Sequence, residues 1–241
     1  LAVREALPGN NCGACGFPGC DGCAKAIAKG TAPVNQCPVG GAPVAEKIAA
    51  IMGTDSVSTD NVKKVAHVHC QGDCDKAKQQ AHYSGIADCN DLVVVPGGTE
   101  EACPYSCCGY GSCVKVCAFD AIHVINGVAV VDKEKCTACG ACVKACPKSL
   151  IALVPYKKKH IVSCKNHLKG KQVKDSCSIG CIACGMCEKN CPFDAIHVID
   201  DLAVMNEKCK DCGICAQKCP TSAITGKRPK KEETKVAMEK A

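Results

Sequence analysis

Apolar and polar residues alternate in this chain only over short stretches, and the period changes repeatedly. Phe119-Asp-Ala-Ile-His-Val-Ile125 reads as a strand, and the same heptapeptide returns as Phe193-Asp-Ala-Ile-His-Val-Ile199. An identical segment at two places marks an internal repeat, and each copy leads into a second short apolar strand. Asn126-Gly127, after the first copy, is a strong hairpin signal; Asp200-Asp201 is its weaker equivalent. Helical character shows in Cys23-Ala-Lys-Ala-Ile-Ala-Lys-Gly30, ended by its glycine, and in residues 44–52. Over residues 63–100 the pattern predicts a strand at Val65-Ala-His-Val-His69, a helix over 75–81, and a strand at Leu92-Val-Val-Val95 before Pro96-Gly97-Gly98. Residues 54–62 are polar and aperiodic, a linker. The stretch from Gly226 is charged, contains Pro229, and reads as a disordered or loosely helical tail.

Elements this short need something other than large side chains to hold them. The 241 residues include 27 Cys but only three Phe, four Tyr and no Trp. Cys is about 11% of the chain, the level of a disulfide or metal scaffold. The cysteines recur at C-x2-C spacing and their number is odd, which favours metal ligation in a reducing, cytosolic-type environment over a disulfide framework.

The densest pattern is Cys181-Ile-Ala-Cys184-Gly-Met-Cys187-Glu-Lys-Asn-Cys191-Pro192, followed by Cys209-Lys-Asp-Cys212-Gly-Ile-Cys215-Ala-Gln-Lys-Cys219-Pro220. This is the C-x2-C-x2-C-x3-C-P run of a two-cluster ferredoxin, twice over, in which the fourth Cys of each run serves the other cluster. Cys181, Cys184, Cys187 and Cys219 are therefore expected to hold one 4Fe-4S cluster, and Cys209, Cys212, Cys215 and Cys191 its partner. Zinc favours two Cys pairs and would leave the third Cys of each triplet surplus.

The repeat places a related module upstream. Cys136, Cys139 and Cys142 form its second triplet and are expected to share a cluster with Cys117. In its first run, Cys107, Cys113 and Cys117 hold the first, third and fourth places, but Tyr110 stands in the second. Cys103 is the obvious replacement, so Cys103, Cys107, Cys113 and Cys146 are grouped, with Cys108 a non-ligand. Ile122 and Val124 would face the clusters, leaving His123 and His197 outward.

Two further sites are expected. Cys12, Cys15, Cys20 and Cys37 form a C-x2-C-x4-C-x16-C pattern, three close thiolates and one returning after a helix, with Cys23 a small buried residue outside it. Cys70, Cys74 and Cys89 number only three, so a sixth cluster there needs Cys164 or Cys177 as fourth ligand. His67 and His69 do not make a Rieske site, which needs paired Cys and His on two loops; they read as surface-strand histidines.

The fold class is thus α+β. A small N-terminal cluster domain (1–53) and the linker (54–62) precede a three-Cys strand-helix-strand spacer (63–102). A first bacterial-type two-cluster 4Fe-4S ferredoxin module (103–154), a basic linker (155–176), a second module (177–225) and the charged tail (226–241) complete it.

The formal charge of +6 counts Cys as neutral. Each cluster with its four thiolates adds about −2, so five or six clusters bring the assembled protein to about −4 to −6. Residues 155–175 nevertheless carry seven Lys against one Asp, a solvated linker or a dock for an acidic redox partner. Nucleic-acid binding is not expected, given few aromatics and no recognisable motif. No run of about 18 apolar residues suggests a bilayer span. The opening Leu1-Ala2-Val3-Arg4 lacks Met and a signal-type region, so an upstream piece is expected.

The order of these parts resembles the B subunit of the Rnf complex, the ion-translocating ferredoxin:NAD oxidoreductase, in its long polyferredoxin form. The most specific stretches are Asn11-Cys-Gly-Ala-Cys-Gly-Phe-Pro-Gly-Cys20 and Cys70-Gln-Gly-Asp-Cys74. The resemblance implies an electron-transfer subunit at the cytoplasmic face of the cell membrane, anchored by an N-terminal helix absent here. It would accept electrons from reduced ferredoxin and pass them to flavin-bearing membrane subunits for NAD reduction and sodium or proton export. The first domain also resembles one in the corrinoid iron-sulfur protein, so a soluble polyferredoxin, or a relay subunit of a hydrogenase or corrinoid-linked system, is the alternative. No G-x-G-x-x-G nucleotide fingerprint is present, which favours a relay over a self-contained enzyme.

Overall fold

The computed structural model describes residues 2–54 and 62–226. Nearly all of the expected linker (54–62) and of the charged tail (226–241) lies outside the described residues. In chain order the elements are α1 (Ala2–Ala6), α2 (Cys20–Ala28), α3 (Gly41–Met52), β1 (Lys64–Val68), α4 (Cys89–Leu92), α5 (Ser112–Lys115), β2 (Ile122–Ile125), β3 (Val128–Val131), α6 (Ala141–Ala145), β4 (Ile151–Pro155), α7 (Gly170–Ser176), α8 (Met186–Lys189), β5 (Ile196–Ile199), β6 (Leu202–Met205) and α9 (Ile214–Lys218). Short helices and two-stranded sheets, paired β1 with β4, β2 with β3 and β5 with β6, make the protein α+β.

Two compact units are drawn from these elements. The first comprises the described residues of Leu1–His67, Ser112–His123 and Val130–Tyr156. Its N-terminal part packs α1 on α2 and α3. Ile27 and Ile48 fill the seam at 1% and 0% exposure, with Val3, Leu7 and Cys23 around them. Burying each isoleucine is worth roughly 1.5–3 kcal/mol, a large share of what so small a core can supply. α3 stops at Gly53, whose φ of 65° closes the last turn by donating to Ala49 O. Elsewhere in this unit α5 packs on α6 and α6 on β4, with Val65, Ala121, Leu150 and Ile151 buried.

The second unit comprises Val68–Gly111, Val124–Ala129 and the described residues of Lys157–Ala241. At its centre the antiparallel β5–β6 hairpin pairs Ile196 with Met205 and Ile199 with Leu202, and α8 packs on α9 and β5. Ile196, Leu202, Ala216 and Ile224 form the core with Cys181, Cys187 and Cys215. Asp200 and Asp201 turn the hairpin with φ of 47° and 60°, and Asn126 and Gly127 turn β2 into β3 with 48° and 80°. Two successive positive φ values are the signature of a type I′ turn, so both expected hairpins form.

Three expectations change. Residues 75–81 are not helical: Ala77 bridges Cys177, Gln79 bridges Glu101, and Lys78 N donates to Ser176 O. Remote partners thus claim a backbone whose local preference was helical. Residues 92–95 are not a strand either. Asp88 caps a helical turn by accepting from Asn90 N, α4 runs through Leu92, and Val94 is 80% exposed. Third, Ile122 is buried as expected but Val124 is exposed, because β2 is only four residues long and runs outward toward its turn.

Candidate metal centres

The cysteine triplets fold into loops that ordinary backbone would not adopt. Ala138 and Gly140, Ala183 and Gly185, and Asp211 and Gly213 flank the middle cysteine of their triplets, and all six have φ between 53° and 78°. A non-glycine residue at positive φ, here Ala138, Ala183 and Asp211, is uncommon and costs energy. Its recurrence at the same place winds each loop around a common centre. The fourth cysteines share a second device. Asp120, Ser149, Asp194 and Ser222, each three residues beyond Cys117, Cys146, Cys191 or Cys219, all have φ of 50–59°. This turn brings the next amide back onto the sulfur: Ala121 N donates to Cys117 Sγ, Leu150 N to Cys146 Sγ and Ala195 N to Cys191 Sγ, each at 3.4 Å.

These loops enclose space. In the first unit a cavity is lined by Cys117, Cys136, Cys139 and Cys142, with Ala66 and Ile122 as apolar wall. In the second, a cavity is lined by Cys191, Cys209, Cys212 and Cys215, with Ile196 and His160. Each gathers one triplet with the fourth cysteine of the other run. Ala66 N donates to Cys136 Sγ at 3.3 Å. Burial, then the neighbouring thiols of each cavity, push Cys142 and Cys215 up to about 11. Thiols held in this way lose their protons only to a bound metal. Among the described residues no three His, Cys, Asp or Glu side chains converge on a single ion. Four thiols can hold one zinc or a cluster; three from one tight loop and a fourth from the other run is the spacing of a 4Fe-4S ferredoxin.

Cys181, Cys184, Cys187 and Cys219 also draw together. Burial pushes Cys187 up to about 12, with Cys181 and Cys184 adding to it. Cys181 is raised by burial and by the neighbouring Cys164 and Cys219.

In the N-terminal domain Cys37 is raised by burial, and Cys15 and Cys20 lie close enough to add to it; Gly40 N donates to Cys37 Sγ at 3.4 Å. Asn11, at φ 48°, accepts from Cys20 N at 2.8 Å and so ties the start of the cysteine loop to the start of α2. Cys12 is half-buried in that loop. Cys23 is buried as expected, but it also hydrogen-bonds Cys15, and burial first, then Cys15, Cys37 and Cys20, push it up to about 12.

The spacer departs from expectation. A cavity in the second unit is lined by Cys70, Cys103, Cys164 and Cys177, and neither Cys74 nor Cys89 is part of its wall. Cys74 is exposed and its amide donates to Asn126 O; Cys89 is buried at the start of α4. Cys103, grouped from sequence with Cys107, Cys113 and Cys146, stands in this wall instead. Cys107 lies in the same unit and donates its amide to Cys70, while Cys113 and Cys146 belong to the first unit. His69 is no surface histidine. It lines the same cavity and donates from Nδ1 to Val162 O at 2.7 Å, and burial lowers its pKa, aided by Lys165 and opposed by the Val162 bond. The basic segment is no mere linker either. Val162 bridges Ile224, and Val162, Asn166 and Val173 are buried while Lys165, Lys169, Lys171 and Lys174 stay exposed. Spacing did not reveal the parts played by Asn166 and His160; both lie one or two residues from a cysteine or a Lys run and carry no motif of their own.

Three family models match the chain: a putative Fe-S cluster domain over residues 7–39, a 4Fe-4S binding domain over 129–151 and a 4Fe-4S dicluster domain over 180–224. Among curated proteins, the chain is 48% identical over 226 residues to the B subunit of the Na+-translocating ferredoxin:NAD+ oxidoreductase complex of Acetobacterium woodii, covering 93% of this chain and 67% of that protein. It is 44% identical over 207 residues to the B subunit of the proton-translocating ferredoxin:NAD+ oxidoreductase complex of Clostridium ljungdahlii, covering 85% and 72%. To the B subunit of the ion-translocating oxidoreductase complex of Methanosarcina acetivorans it is 42% identical over 209 residues, covering 86% and 78%. No helix among the described residues is long and apolar enough to cross a membrane. The chain belongs to the family formed by the B subunits of the ion-translocating oxidoreductase, or Rnf, complexes.

Proposed function

We propose that the chain is the electron relay of a membrane ferredoxin:NAD oxidoreductase, working at the cytoplasmic face. It takes electrons from reduced ferredoxin and hands them to flavin-bearing membrane subunits, whose reduction of NAD drives ion export. The observation that carries this reading is the pair of similar cavities, each lined by a triplet of cysteines and one cysteine of the other run. Two sites built to the same plan suit the repeated transfer of one kind of equivalent, whereas a substrate site would differ from its neighbours.

The ligand sets follow from the groupings above. Cys12, Cys15, Cys20 and Cys37 hold the N-terminal cluster. Cys117 serves with Cys136, Cys139 and Cys142, Cys219 with Cys181, Cys184 and Cys187, and Cys191 with Cys209, Cys212 and Cys215. Cys107, Cys113 and Cys146 keep ligand roles. A bound 4Fe-4S cluster supplies one-electron chemistry at low potential. The chain's own residues set the conditions. Thiolates fix each cluster, amides donated to sulfur favour the more negative reduced state, and Ile122 and Ile196 keep water from the cavities.

Titrating reduced ferredoxin against the reconstituted chain, alone and anaerobically, tests the reading. A relay takes up electrons until its clusters are reduced and then stops, with or without NAD. Sustained turnover by the isolated chain would overturn it.

A further inference from the structure

We propose that Cys70, Cys103, Cys164 and Cys177 hold a further 4Fe-4S cluster, outside both ferredoxin registers. None of the four falls within residues 7–39, 129–151 or 180–224, the segments that the family models match. For its redox role the site rests on the relay reading; for its existence it rests on geometry alone.

The four line one cavity, as each ferredoxin set of four lines its own. Its sulfurs are also served by amides in the ferredoxin manner. Cys107 and Gly72 donate to Cys70 Sγ, Ile179 and Gly180 to Cys177 Sγ, and Cys181 to Cys164 Sγ at 3.4 Å. Gly72 lies directly against the ring: a Cβ there would stand 3.3 Å from Cys177 Sγ and 3.9 Å from Cys70 Sγ.

Asn166 adds an independent sign. Its side chain is 1% exposed, and a carboxamide so buried must find partners. Nδ2 donates to Cys103 Sγ at 3.2 Å, its backbone amide to Cys164 Sγ at 3.5 Å, and Oδ1 accepts from Leu168 N at 2.7 Å. A single residue thus addresses two of the four sulfurs, and a thiolate bound to iron accepts such bonds more strongly than a thiol.

The site also has a neighbour. Cys181, in the triplet of the last module, donates its amide to Cys164 Sγ. A cluster held here would supply one-electron exchange with a cluster held by Cys181, one losing an electron as the other gains it.

The test uses the full chain, reconstituted anaerobically. Cys164→Ala and Cys177→Ala each lower iron by about four per chain, and Cys74→Ala keeps the parent content. Circular dichroism and the electron paramagnetic resonance of the remaining reduced clusters show that each variant has folded. Asn166→Leu keeps the iron but lowers the midpoint potential of one cluster, as loss of a hydrogen bond to sulfur requires. Parent iron in Cys177→Ala, loss in Cys74→Ala, or zinc in place of the missing iron would each overturn the site. Because iron is counted without ferredoxin or NAD, failure of the relay reading leaves this outcome untouched.

Discussion

Gly213 lies against the imidazole of His160: a Cβ built on the glycine would stand 2.6 Å from His160 Nε2. The ring does not give way easily. It is 7% exposed, its residue's amide donates to Asp211 Oδ1 at 2.8 Å, and Nδ1 donates to Thr225 O at 3.1 Å. A histidine from the basic segment therefore closes one wall of the cavity of Cys191, Cys209, Cys212 and Cys215.

Gly140, the equivalent position in the first module, has the same φ of 78° but open space where a Cβ would go. Both Gly→Ala variants pay about 1–2 kcal/mol for a left-handed alanine; only Gly213→Ala also drives an atom into His160. Gly140→Ala is expected to keep its iron and melt a few degrees lower. Gly213→Ala should melt lower still, with up to about four irons lost per chain. Equal melting shifts and equal iron in the two variants would remove the packing role of His160.

The iron content of the whole chain bounds the number of clusters. Anaerobic reconstitution should give about 20–24 irons per chain, from five or six clusters of four. A count near eight with zinc elsewhere would defeat the relay. Cys23→Ala should leave the count unchanged despite removing a hydrogen bond to Cys15, because Cys23 sits outside the four-thiol spacing. Cys184→Ala should instead disturb one cluster of the last module and weaken its partner.

What could be read from the sequence was whatever local chemistry decides. Asn126-Gly127 and Asp200-Asp201 can take successive positive φ values, so the hairpins were legible as turns before any contact was known. The cysteine triplets were legible as tight loops because their spacing dictates which thiols such a loop presents. The spacer was not, because its fate is decided by partners distant in sequence. Residues 75–81 have helical character but pair through Ala77 with Cys177 and through Gln79 with Glu101. Cys164 and Cys177 stood as alternatives for one place, and the cavity uses both while taking Cys103 from the first module's expected set. A buried asparagine that bonds two sulfurs has no spacing by which to be recognised.

Moving Cys103 leaves Cys107 in need of another partner thiol, and burial points to one. Cys89 lies in the same unit as Cys107 and is 7% exposed, at the start of α4, while Cys108 stands outside the ferredoxin register. Iron analysis should therefore show a loss of about four per chain in Cys89→Ala and none in Cys108→Ala. The reverse pattern would return Cys103 to Cys107 and give Cys108 a ligand role.

The last prediction concerns entry of electrons. Ferredoxins are generally acidic, and five or six loaded clusters would bring this chain to about −4 to −6, so encounter would be slow unless a local positive patch faces the partner. Lys165, Lys169, Lys171 and Lys174 are exposed in the segment that also supplies Cys164 and the buried Asn166 and Val173. The patch thus lies on the segment that lines the proposed spacer site, where a short path into the relay would begin. Lys169, Lys171 and Lys174 flank or lie on α7 and are exposed, so reversing them to Glu alters charge with little effect on packing. Stopped-flow reduction by ferredoxin should be several-fold slower in the triple variant at low salt. The gap should close as added salt shortens the screening length to about 8 Å and below. Equal rates for variant and parent at low salt would leave these lysines as a solvated face and move the docking surface elsewhere, with the N-terminal domain around Cys12 and Cys15 the next to be tested.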